Sequence, residues 1–320
     1  MSAADSASGT ATLRIEHLKV IFRSNGLELP AVDSVSMELR PANRIALLGE
    51  TGCGKSVLAL AIFGLLPANA RVSGCISGFG HEDILALPPK SINGLRGRSM
   101  VLIPQNPHGS LNPVFRVEKQ LTEAIRLISR KKPAGMRAAA LELLSRTGFS
   151  DPEKVANLYP HQLSGGMAQR VLLSAGLAGS PEVVVADEPT KGLDDEAATR
   201  CLSLLTTCFE NAALLLITHD LKAAAVCDEA VIMYAGEIVE RGAADKVMAD
   251  PRHPYTVGLM AAHPANGLHP ISGTAPGLSS IPKGCRFHPR CPLADNRCVS
   301  EHPSPAAMGN RWVRCFHAGD

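Results

Sequence analysis

No stretch of this chain approaches the roughly 18 consecutive apolar residues that a membrane-spanning helix needs, although hydrophobic residues fill 45% of its 320 positions. The opening MSAADSASGTATL lacks the basic and apolar regions of an export signal, so the expected location is cytoplasmic. A charge excess is missing too. Lys and Arg number 32 against 30 Asp and Glu, a formal net charge of +2, and nothing in that balance suggests a nucleic-acid footprint. Nine cysteines suit a disulfide scaffold only in a short exported chain; with both conditions unmet, reduced thiols or a metal site are expected. A chain of this length and apolar content buries one large core or two modest ones, which implies a main domain plus an appendage.

What is present is organised around residues 47–56, LLGETGCGKS, which read Gly49-x-x-x-x-Gly54-Lys55-Ser56, the phosphate-binding P-loop pattern. An apolar run precedes it and a helical pattern over 57–66 follows, the strand, loop and helix context that the motif requires. From Gly49 through Glu50, Thr51, Gly52, Cys53 and Gly54, the glycines let successive amides point at one phosphate chain, and the helix beginning near Gly54 adds its positive dipole end. Lys55 is placed to reach the β- and γ-phosphates, and the Ser56 hydroxyl to hold magnesium.

Taken in order, residues 1–12 are small, polar and expected to be disordered. Segments 13–22 and 31–39 alternate apolar and polar residues around the turn signal Ser24-Asn25-Gly26, which predicts antiparallel strands. Phe22, at the end of the first, suits either a core position or a base-stacking one. Strands are predicted at 70–79 and 99–103, the latter ending at Pro104-Gln105, with a short helix between. Residues 106–180 turn helical, with apolar spacing at 117–128, 135–146 and 166–178 and proline-bearing separators at 106–113 and 151–160. Arg126, Arg130, Lys131, Lys132 and Arg137 cluster at a helix break there, and a solvated loop is favoured over contact with anionic lipid.

A short β-branched run at 182–186 ends in Asp187-Glu188. In a chain with a P-loop, adjacent acids at the end of a buried strand suit a magnesium-supporting aspartate and a glutamate that polarises the attacking water. A further apolar strand, 213–218, ends in His219, which from the same sheet edge reaches toward a γ-phosphate. A last one, 229–234, turns at Ala235-Gly236.

Together these residues resemble the ATP-binding subunits of ABC transporters. Leu163-Ser164-Gly165-Gly166-Met167 is similar to the signature sequence, Gln105 to the Q-loop glutamine, Phe22 to the adenine-stacking aromatic, Asp187-Glu188 to the Walker B aspartate and catalytic glutamate, Gly192-Leu193-Asp194 to the D-loop, and His219 to the switch histidine. The resemblance runs from about residue 13 to 250. It implies ATP and Mg2+ as ligands, with Ser56, Gln105 and Asp187 on the metal and Lys55, Glu188 and His219 in catalysis. It further implies a head-to-tail dimer in which Ser164, Gly165, Gly166 and Asp194 complete the partner's nucleotide site. Met167 and Lys191 depart from the commonest pattern, at positions where the partner contacts.

After residue 250 the chain loses periodicity and carries Cys285, Cys291, Cys298 and Cys315. The phrases HPYT, GCRFHPRCP and WVRCFHA, with SLNP and YPH upstream, resemble the dipeptide, oligopeptide and nickel importer ATPases, some of which hold a 4Fe-4S cluster on four such cysteines. Zinc is the second reading and free thiols the third, since five, six and sixteen intervening residues match neither pattern closely. The cluster is expected to order a tail with few apolar anchors. Cys53, beside phosphate-binding amides, is expected to have a lowered pKa and to be open to alkylation.

The expected fold is an α/β P-loop core (13–250) with an antiparallel β subdomain, an inserted helical subdomain and a short cysteine-containing extension (251–320). The expected function is ATP hydrolysis powering import of a peptide, nickel or a metal chelate at the inner face of the cell membrane. Partners implied are two permeases, a second and different ATPase chain, and an external solute-binding protein. A soluble non-transport ATPase and a non-hydrolysing structural subunit are the alternatives.

Overall fold

The computed structural model describes residues 12–128, 135–264 and 267–318. Two sheets organise them. A three-stranded antiparallel sheet has the order β2-β1-β4, with β4 at Ala70–Gly78, and an eight-stranded sheet has the order β10-β11-β9-β8-β3-β7-β6-β5. In the small sheet, β1 (Leu13–Ser24) and β2 (Leu27–Leu39) form a hairpin through Asn25 and Gly26, both at positive φ (49° and 77°), the backbone twist that two-residue hairpins favour.

The large sheet is parallel through β8 (Glu229–Tyr234), β3 (Arg44–Leu48), β7 (Ala213–Ile217), β6 (Val183–Asp187) and β5 (Met100–Ile103). Its strands are apolar throughout because both faces are covered. Ala46, Leu48, Val184 and Ala186 pack into one hydrophobic core, while Ile45, Leu47, Val183 and Val185 pack into a second. The second core also takes the inner face of the small sheet and of helix α1 (Lys55–Ile62).

The first core is shared with the helical insert, where α4 (Val117–Ile128) buries Val117, Leu121 and Ile125 at four-residue spacing against α5 (Met136–Arg146) and α7 (Gly165–Gly176). The proline-bearing separators hold short helices of their own, α3 (Pro107–Ser110) and α6 (Pro152–Ala156). Proline sits at the start of each, and Asn106 and Asp151 cap them. α2 (Pro89–Leu95) completes the region before β5. Of the basic cluster, Arg130, Lys131 and Lys132 lie outside the described residues. Arg126 pairs with Glu123, and Arg137 bridges Glu118 and Glu153, which is how a solvated inter-helix face behaves.

The tail departs from expectation. β9 (Glu237–Ala243) turns back on β8, and the late strands β10 (Ala306–Met308) and β11 (Arg311–Val313) extend the large sheet beyond it. Nor is the tail short of apolar anchors. Tyr255 on α11 (Pro254–Ala261), Phe287 and Val313 are buried, and Tyr234, Tyr255 and Phe287 form an aromatic cluster with ring centroids 4.5 to 5.5 Å apart. These side chains anchor the extension to the core.

Candidate functional site

The loops leaving the C-terminal ends of β3, β6, β7 and β8 meet at one sheet edge, the usual place for a ligand in an open α/β sheet. Backbone bonds tie them together: Glu188 N–H to Ile217 O (2.8 Å), Thr218 N–H to Leu47 O (3.1 Å) and Gly236 N–H to Cys53 O (2.9 Å).

In the P-loop, Gly49 has φ 154°, and a methyl there would overlap the Met233 carbonyl oxygen and lie 2.8 Å from Cys53 Sγ. Only glycine fits. Lys55 is 7% exposed, and its Nζ donates to the carbonyls of Gly49 (2.6 Å) and Glu50 (2.9 Å), folded back across the loop. Ser56, beside it, lies close enough to Asp187 to favour the charged form of its carboxyl. Burial raises the Asp187 carboxyl above the usual carboxylate range, with the neighbouring Glu188 charge adding to it, while its Oδ1 is buried without a hydrogen-bond partner. A buried carboxylate oxygen next to a serine hydroxyl, unsatisfied by protein, is the donor set that a hard divalent cation such as Mg2+ takes.

Glu188 follows at φ 48°, a left-handed conformation costly for a side chain with a Cβ. The bend swings its carboxylate to His219, whose Nδ1 lies 2.9 and 2.8 Å from the two oxygens. Glu188 is buried and His219 is largely exposed. Gln105, just beyond β5, is exposed. Phe22 lies half-buried on β1 between Leu29 and Ala70, packed against the second core.

The signature residues form a separate group. Ser164 caps α7 by accepting from Met167 N–H, and Asp194 caps α8 (Asp195–Cys208) by accepting from Ala197 N–H. Methyls on Gly165 and Gly166 would touch Leu193 and Ala197, so the two helix starts sit together. Among the described residues no hydrogen bond joins this group to the P-loop.

Cys53 corrects an expectation. It is 5% exposed, and burial pushes its thiol up despite Lys55 nearby. The dipole and amides that lower a thiol pKa act on an open site; here desolvation of the thiolate outweighs them.

The four tail cysteines lie near one another. Burial, with the Cys315 and Cys298 sulfurs adding to it, pushes the Cys285 thiol up to about 12, and Cys291 and Cys298 are raised by burial as well. A bound metal reverses that shift, because it stabilises the thiolate directly. Among the described residues, the group of three ligand-type side chains with donor atoms within 4.8 Å of one another is Asp295, Cys298 and His317. Among the described residues no three of the four tail thiols come within 4.8 Å of one another, so the thiols are spaced more openly than a closed tetrahedral site.

One group was invisible from sequence. Arg290 donates to both carboxylate oxygens of Glu50 (2.8 and 3.0 Å), and Tyr255 Oη accepts from Glu50 N–H (2.8 Å). Both residues fall inside motif phrases, HPYT and GCRFHPRCP, but nothing local indicates what they face.

Residues 32–191 match the family described as ABC transporter, and residues 239–298 match the oligopeptide/dipeptide transporter C-terminal region. The chain is 38% identical to the dipeptide transport ATP-binding protein DppD of Escherichia coli over 319 residues, covering 97% of this chain and 98% of that protein. It is 36% identical to the oligopeptide transport ATP-binding protein AppD of Bacillus subtilis over 315 residues, with 95% and 96% covered. In fold it is similar to the dimeric ABC transporter cassette MJ0796 at a TM-score of 0.64 and 22% identity, over 72% of this chain and 98% of that one. The chain belongs to the ABC transporter ATP-binding proteins, in the group that carries the oligopeptide/dipeptide C-terminal region.

Proposed function

We propose that this chain hydrolyses ATP to power a peptide importer. The observation that carries the reading is Asp187 Oδ1, buried and without a hydrogen-bond partner beside Ser56, at the mouth of a P-loop whose lysine folds back onto its own carbonyls. Lys55 swings to the β- and γ-phosphates when they arrive, and the loop amides cradle the chain. Ser56, Asp187 and Gln105 hold Mg2+, which supplies charge neutralisation at the phosphates. Glu188 takes a proton from the attacking water as its oxygen bonds to the γ-phosphorus, and ADP leaves with the electron pair of the broken bond. His219 orients the Glu188 carboxylate, and Phe22 stacks on the base.

Residues 13–250 are the ATPase unit and 251–320 the extension. Ser164, Gly165, Gly166 and Asp194 cluster at two helix starts with no hydrogen bond to the P-loop among the described residues, which supports a head-to-tail dimer closed by ATP. We read that subunit as a different ATPase chain, and the pair as working on the inner face of the cell membrane against two permeases fed by a solute-binding protein. No described helix is long and apolar enough to cross a membrane. Of the cargoes left open, peptide is the one that the relatives' names support. Cys285, Cys291, Cys298 and Cys315 hold a 4Fe-4S cluster, with zinc the second reading.

The test is affinity purification from the native membrane in mild detergent, with co-purifying proteins identified by mass spectrometry. Two multi-span permeases and a second ATPase are expected. Recovery from the soluble fraction without any permease would move the function to a non-transport ATPase.

A further inference from the structure

Each cysteine of the extension has an arginine as its chain neighbour: Cys285-Arg286, Arg290-Cys291, Arg297-Cys298 and Arg314-Cys315. Two of these arginines reach into the P-loop region. The Arg290 side chain is 5% exposed, and its guanidinium stands 5.9 Å from the ring centroids of both Tyr234 and Phe287. From there it makes the two parallel hydrogen bonds to Glu50, the geometry that only a guanidinium supplies.

Tyr255 holds the same residue by its main-chain N–H, and the Glu50 carbonyl receives Lys55. Glu50 is thus fixed at its side chain and its amide by the extension, one residue after the first glycine of the loop. Arg286 secures the other end. It donates to Ala235 O (2.5 Å) and pairs with Asp33, while the next residue, Gly236, donates to Cys53 O (2.9 Å).

We propose that Arg290 is a positioning residue for ATP binding: it sets the Glu50 peptide plane so that the P-loop amides converge, and it neutralises a carboxylate carried on the P-loop itself. The proposal rests on the ATP-hydrolysis reading of the site. Uncompensated, the Glu50 charge repels ATP without touching Glu188 or His219. The effect therefore falls on KM.

The experiment measures ATP hydrolysis by the full-length chain, purified with its partner subunits, for wild type, Arg290→Ala, Arg290→Ala/Glu50→Gln and Lys55→Ala. Arg290→Ala is expected to raise KM for ATP about 10-fold while kcat changes by less than about 3-fold, because the lost interaction is one of binding and not of the transition state. Adding Glu50→Gln removes the stranded charge and is expected to bring KM back toward wild type. A KM for Arg290→Ala within about 2-fold of wild type, or a double variant no better than Arg290→Ala alone, overturns the proposal. Where Arg290→Ala fails to fold, Arg290→Gln carries the test, since it keeps most of the side chain's bulk and loses both the charge and the paired geometry. A KM rise of about 3-fold or more supports the proposal and an unchanged KM overturns it. Hydrolysis undiminished in Lys55→Ala, by contrast, removes the ATPase reading of this chain's own site and leaves the role of Arg290 unaddressed by that outcome.

Discussion

The imidazole of His219 brings Nδ1 within 2.9 and 2.8 Å of the two carboxylate oxygens of Glu188, across 31 residues of sequence. The contact exists because Glu188 leaves β6 at φ 48° while His219 leaves β7 one strand away. A left-handed glutamate is a strained arrangement, and such strain gathers where a side chain has to be aimed.

Glu188→Gln keeps the shape and the hydrogen-bonding reach while losing basicity. Turnover is expected to fall by about 10²–10⁴-fold, the usual contribution of a general base, with ATP binding retained. Steady-state hydrolysis alongside equilibrium nucleotide binding checks this, and turnover surviving the change removes Glu188 as the base.

Asp187→Asn exchanges the orphaned carboxylate for a neutral amide. The Mg2+ concentration that half-saturates nucleotide binding is expected to rise about 10-fold or more, as when a metal's supporting carboxylate is lost. A magnesium titration of ATP binding reads it directly, and an unchanged midpoint takes Asp187 off the cation.

His253, buried at the start of α11, accepts from Tyr255 N–H through Nδ1, and burial lowers its pKa to about 3. The unfolded chain takes up this proton near pH 6.5 and the folded one does not until far lower. Stability is therefore whole above about pH 6.5 and drains as pH falls toward 3, by up to about 1.4 kcal/mol per pH unit. His253→Asn keeps a capping acceptor without the titration, so its melting temperature is expected to fall less steeply with acid between pH 6.5 and 4. Parallel slopes in the two proteins would remove His253 as the source.

Cys285→Ser tests the sulfur site. Anaerobically prepared wild type is expected to carry about four irons with matching sulfide, and the variant little of either. Because Tyr255, Phe287 and Val313 anchor the extension independently, the variant is expected to remain folded by circular dichroism. Zinc in place of iron would favour the second reading of the site.

The P-loop, the Asp187-Glu188 pair and His219 were legible because strand and loop chemistry is local. Apolar β-branched runs mark the buried strands, and the residue following each run marks the sheet edge. The hairpin at Asn25-Gly26 was legible for the same reason. β10 and β11 were not, since three-residue strands carry no periodicity, and their pairing on β9 depends on an edge that other residues leave open.

By itself the sequence determined the strands of the parallel sheet, the phosphate-binding loop, the signature helix and the count of tail cysteines, all set by interactions within a few residues along the chain. The tertiary structure alone decided that Cys53 is buried, with its thiol pKa raised, and that Arg290 reaches Glu50 across 240 residues. The reason is physical: desolvation and ion pairing depend on which distant segments pack around a group, and short-range patterns carry no record of that packing.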